Sequence, residues 1–150
     1  MKILIAEDAP VSCRLLQGYL QKWGHEVVVT TDGLESWQKF EQDEFPLVIT
    51  DWMMPEMDGI DLIRRIRQSE RSFHVYIILL TGRSQKEDVV EGMEAGADDF
   101  VTKPFDRDEL RVRLRVGERV SALERKLVEQ SRELNELRSV LTRSSEPPVA

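Results

Sequence analysis

The sequence is poor in cysteine: Cys13 stands alone among 150 residues, which excludes an internal disulfide. It falls in an apolar helical stripe rather than beside other metal-ligand types, so packing is the role to expect of it. Long apolar runs are missing as well. The longest, Val75 to Leu80, is far short of the roughly 20 residues a membrane span needs, and no charged-then-apolar leader opens the chain. A soluble, cytoplasmic protein with no membrane partner is therefore expected. Positive charge is in deficit: 21 Lys and Arg against 28 Asp and Glu leave a formal charge of -7 and a pI near 5.0. That balance works against the phosphate attraction on which nucleic-acid binders rely, so no direct nucleic-acid partner is expected.

What the chain does contain is a regular alternation. At 41% hydrophobic residues, 150 residues suffice for one compact domain and an extension. Short apolar runs at Lys2–Ala6, Glu26–Thr30, Leu47–Thr50, Val75–Thr81 and Phe100–Thr102 read as strands, separated by stretches of helical spacing. In the first such stretch Val11, Leu15, Tyr19 and Trp23 form the stripe expected to pack on a sheet, with Pro10 suited to a first turn. Leu34, Trp37 and Phe40, then Ile60, Ile63 and Ile66, then Val89 and Met93 repeat the pattern. Five strands and five helices in alternation predict a parallel sheet covered on both faces, a three-layer α/β sandwich.

From Arg115 the pattern changes. Val116, Val120, Leu123, Leu127, Gln130, Leu134, Leu137 and Leu141 are separated by alternating steps of four and three, a heptad seam interrupted by one glutamine. A helix from about Asp108 to Leu141 is roughly 50 Å long, too long for so small a domain to cover. The expected organisation is a domain over 1–120, a coiled-coil extension of its last helix over 115–143, and a frayed tail over 144–150 with Pro147 and Pro148. Gly117 marks a hinge between domain and coil, and a parallel homodimer is the most economical partner for the seam.

In an open parallel sheet, ligands bind beyond the C-terminal ends of the strands. The residues there are Glu7 and Asp8, Asp51, Thr81 and Lys103. Each has a commonplace reading taken singly: Asp51 as a turn former, Glu7 and Asp8 as helix caps, Thr81 as a last strand residue, Lys103 as a surface charge. Gathered at one edge they are hard to explain by stability, because clustered carboxylates repel and raise one another's pKa. A hard cation resolves the conflict, and magnesium takes such oxygen ligands together with phosphate oxygens. The constellation suits phosphoryl chemistry.

Over roughly residues 1–120 the sequence resembles the receiver domain of two-component response regulators. The motifs that carry the resemblance are Glu7-Asp8, Asp51 followed by Met54-Pro55 and Gly59, Thr81-Gly82, and the run from Ala95 to Phe105. The resemblance implies a flavodoxin-like, doubly wound sheet of order 2-1-3-4-5, which the general rule for this fold states for a chemotaxis member of the same family. It implies that Asp51 accepts a phosphoryl group from a phosphohistidine on a sensor histidine kinase or phosphotransfer protein. It further implies that Glu7, Asp8, Asp51 and the Met53 backbone carbonyl hold Mg2+, that Lys103 and Thr81 contact the phosphoryl oxygens, and that the Lys103–Pro104 peptide is cis. Thr81 and Phe100 would form the switch, although Phe100 lacks the tyrosine hydroxyl common there in relatives and is as readily a core residue. Met53 and Arg83 hold positions where relatives tune the lifetime of the phosphoryl group. In relatives a helix of this kind often leads to an output domain, such as a diguanylate cyclase, a phosphatase or a kinase. None lies within these 150 residues, so an output domain outside them is among the expectations.

Two other readings compete with this one. A phosphatase of the haloacid-dehalogenase type also places an aspartate nucleophile and magnesium after a strand, but needs a second Asp two residues on, where this chain has Met53. An interaction module that keeps the fold and no longer takes phosphate is disfavoured by the presence of every expected phosphorylation residue.

Overall fold

The computed structural model describes residues 1–71, 73–82 and 86–145. The elements run β1 (Lys2–Ala6), α1 (Pro10–Lys22), β2 (Glu26–Thr30), α2 (Gly33–Gln42), β3 (Leu47–Asp51), α3 (Gly59–Gln68), β4 (Tyr76–Thr81), α4 (Lys86–Ala95), β5 (Asp99–Thr102) and α5 (Arg107–Ser145). The five strands form one parallel sheet in the order β2-β1-β3-β4-β5, as the resemblance implied. Arg83 and the tail prolines Pro147 and Pro148 lie outside the described residues.

Alternation along each strand builds two cores. Ile3 and Ile5 of β1 face Leu16 and Leu20 of α1 and Leu110 and Leu114 of α5. Leu4 and Ala6 face the other way, toward Phe40 of α2 and Ile60, Ile63 and Ile66 of α3. Each of the Ile, Leu and Phe side chains contributes about 1.5–3 kcal/mol relative to leaving it in water. Local signals set where helices begin: Pro10 opens α1, while Asp32 and Asp58 cap α2 and α3 by accepting the amides of Glu35 at 2.7 Å and Asp61 at 2.8 Å.

Three sequence expectations fail here. On α1 the sheet-facing line is Cys13, Leu16 and Leu20, and Val11 is 70% exposed with Leu15 also outside. Steps of four drift around a helix of 3.6 residues per turn, so Val11–Leu15–Tyr19–Trp23 winds off the sheet, whereas steps of three and four stay on it. The partly buried Tyr19 and Trp23 reach the core only at its margin. Leu34 and Met93 are likewise exposed, and α4 presents buried Gly92 instead. Finally, Gly117 is no hinge. It lies buried inside an unbroken α5, where a Cβ would come within 2.7 Å of the Tyr76 ring and 2.9 Å of the Leu47 side chain. Glycine is there to let the helix cross the lower edge of β3 and β4 closely.

Candidate functional site

The sheet brings the strand-end residues to one edge. Glu7 and Asp8 follow β1, Asp51 closes β3, Thr81 closes β4 and Lys103 follows β5. Ligand oxygens of Glu7, Asp8 and Asp51 all lie within 4.8 Å of one another. Glu7 has no exposed surface, Asp51 is 8% exposed, Thr81 is buried, and Asp8 opens to solvent. A buried carboxylate beside two others is unfavourable without positive charge.

Lys103 supplies that charge. Its Nζ lies 2.7 Å from Glu7 Oε2 and donates to Asp51 Oδ2 at 3.0 Å. Burial pushes the Glu7 carboxyl above the ordinary carboxylate range, against the pull of Lys103. Burial alone would lower the Lys103 ammonium, but the ion pairs with Glu7 and Asp51 outweigh it and raise it. The remaining oxygens are held by backbone: the Ala9 amide donates to Glu7 Oε1 at 3.0 Å and the Trp52 amide to Asp51 Oδ1 at 2.8 Å. Asp51 and Glu7 are thereby oriented before any ligand arrives.

The loops reinforce this arrangement. The Lys103 amide donates to the Thr81 carbonyl at 2.8 Å, and the Lys103–Pro104 peptide is cis. The Gly59 amide donates to the Trp52 carbonyl at 2.7 Å, and a Cβ at Gly59 would run into the Asp51 carbonyl. Glycine at this position lets the start of α3 rest against the end of β3. Met53 is 60% exposed beside the cluster, and Phe100 is half-buried, packed on the core between the sheet and α3. Sequence reasoning anticipated the cluster but missed the direct Glu7–Lys103 pair and the Ala9 amide. Neither has a local signal, since both depend on how the β1 and β5 ends meet.

The set fits a hard divalent cation: three carboxylates with convergent oxygens, two of them buried and balanced by one ammonium. Lys103 faces the Asp51 carboxylate, and Thr81 closes the neighbouring strand.

A family model described as the response regulator receiver domain matches residues 3–115. The chain is 33% identical over 118 residues to the chemotaxis protein CheY1 of Helicobacter pylori strain 26695, covering 77% of this chain and 95% of that protein. It is 43% identical over 105 residues to the uncharacterized transcriptional regulatory protein YclJ of Bacillus subtilis, covering 70% of this chain but only 45% of that protein. Among solved structures, the receiver domain of sensor histidine kinase PA1611 of Pseudomonas aeruginosa, with a magnesium ion in its active-site cleft, superposes with a TM-score of 0.71 at 30% identity. That alignment covers 81% of this chain and 97% of the PA1611 receiver.

Proposed function

The chain belongs to the response regulator receiver family of two-component signalling, and from that premise we propose that Asp51 is its phosphoacceptor. An Asp51 carboxylate oxygen attacks the phosphorus of a phosphohistidine on a sensor kinase or phosphotransfer protein. The phosphorus–nitrogen bond breaks, the imidazole leaves, and an acyl phosphate forms. The observation that carries this reading is the Lys103 ammonium held between Glu7 and Asp51 at 2.7 and 3.0 Å.

Lys103 is placed to follow the incoming group and pair with one phosphoryl oxygen, and Thr81 to donate to another. Glu7, Asp8, Asp51 and the Met53 carbonyl are the proposed holders of Mg2+, which when bound neutralises charge on the transferring group. The proposed readout is a two-state change in which Thr81 moves toward the phosphoryl group and Phe100 turns inward, biased by the new charge-assisted bonds. The domain acts only on its own acyl phosphate, not on generic phosphoesters, because Met53 supplies no acid for a leaving group.

The proposed organisation keeps a receiver over 1–120 and a homodimeric coiled coil over 115–143, with a cytoplasmic location and an effector or output domain downstream. Among the described residues no helix is long and apolar enough to cross a membrane. Treatment with a small phosphodonor and magnesium, followed by intact mass, tests the acceptor. One added phosphoryl group is expected in the wild type and none in Asp51→Asn; equal uptake by both would overturn the assignment.

A further inference from the structure

The last helix carries two unlike faces. On one, Leu114, Gly117 and Ser121 are buried against the domain, Glu118 Oε1 lies 2.8 Å from His25 Nε2, and the Arg125 guanidinium lies 4.7 Å from the Phe73 ring centre. On the other, Leu123, Leu127, Leu134, Leu137 and Leu141 are 56–67% exposed. Written as heptads, Val120, Leu127, Leu134 and Leu141 are a positions, and Leu123, Gln130 and Leu137 are d positions. Leu114, Ser121 and Arg125 then fall at b and f, on the back of the seam. Val120, the first a position, packs partly against the domain core, but from Leu123 onward the seam is free of the domain.

We infer that the leucine face is filled by a second copy of this chain, parallel and in register, with Gln130 set against its own counterpart. This deepens the dimer proposed above and does not depend on the acceptor chemistry. In a parallel pair d faces d, so the two Gln130 amides can each donate and accept across the interface. In an antiparallel pair a faces d, and Gln130 would be buried against leucine with its amide unsatisfied. A parallel pair staggered by one heptad sets Gln130 against Leu123 or Leu137 and does not close with twofold symmetry.

The flanking charges agree with the same geometry. In a parallel pair each g position faces the e position five residues on in the other copy. Arg119 then faces Glu124, Lys126 faces Ser131, and Glu133 faces Arg138. Two of these pairings attract and none repels. An unrelated amphipathic helix would have to reproduce both the amide and this charge order, which a second copy supplies by symmetry.

The test is a charge exchange measured by sedimentation equilibrium on the full chain at high micromolar concentration. Wild type is expected to be dimeric. Glu133→Arg and Arg138→Glu each set like charges across the seam twice, and each alone is expected to weaken dimerisation on the order of tenfold. An equimolar mixture of the two variants restores opposite charges at both pairs and should recover wild-type dimer strength. A monomeric wild type, or a mixture no tighter than its parents, would overturn the inference. Both substitutions lie on the exposed helix away from the domain, and intact mass after phosphodonor treatment reads the acceptor separately. Restored dimers without phosphoryl uptake sink the acceptor reading alone, and uptake without restoration sinks this one alone.

Discussion

Lys103 pairs with Glu7, a carboxylate with no exposed surface, as closely as with Asp51. The ammonium therefore balances both buried carboxylates at once. Lys103→Met should leave Glu7 buried without its cation and cost about 3 kcal/mol, the usual consequence of breaking one side of a buried ion pair. Urea denaturation would measure this, and added Mg2+ should recover part of the loss, since a cation held by the same carboxylates replaces the missing charge.

Gly117 separates two physical effects of opposite sign. Alanine in a helix interior is worth about 1 kcal/mol over glycine, so a hinge would be stabilised by Gly117→Ala. Here the new methyl meets the Tyr76 ring and Leu47 inside 3 Å, and overpacking of that kind costs about 1–3 kcal/mol. Net destabilisation is expected. A raised melting temperature would show that α5 can lift off the sheet at no cost.

On α1, truncation should distinguish the two stripes. Leu16→Ala removes a fully buried side chain and is expected to cost about 2–5 kcal/mol. Val11→Ala, at a 70% exposed position, should change stability by less than about 0.5 kcal/mol. Comparable losses by thermal denaturation would place Val11 in the core after all.

His25 predicts the pH response of the helix anchor. Burial, then the N-terminal ammonium 3.1 Å from Nδ1, lowers its pKa from 6.5, while Glu118 opposes this from 2.8 Å. The unfolded chain takes up the proton near 6.5 and the folded chain only below it, so protons favour unfolding as pH falls through that window. Stability present above pH 6.5 should decline below it, and His25→Asn should flatten the decline in melting temperature between about pH 7 and 5.5.

The strand-end chemistry is readable because each of its members closes or follows a strand whose apolar run announces it, and parallel order sends every strand end to the same edge. Glu7, Asp8, Asp51, Thr81 and Lys103 are therefore gathered by the strand pattern itself. Helix faces were less legible where spacing allowed two stripes. Val11–Leu15 and Cys13–Leu16–Leu20 are both apolar, and only contact with β1 and β2 chooses between them. Gly117 suggests flexibility in the sequence because a glycine carries no sign of what stands opposite it.

The sequence by itself determined the βα alternation, the acidic cluster and the heptad spacing, because these are periodic or local properties of the chain. Tertiary structure alone decided that Lys103 reaches Glu7 as well as Asp51, that Gly59 rests on the Asp51 carbonyl, and that α5 buries Leu110 and Leu114 in the domain while Leu123 to Leu141 stay exposed. Those depend on the heights at which separate strands and helices meet, which packing of the whole core sets and no single segment encodes.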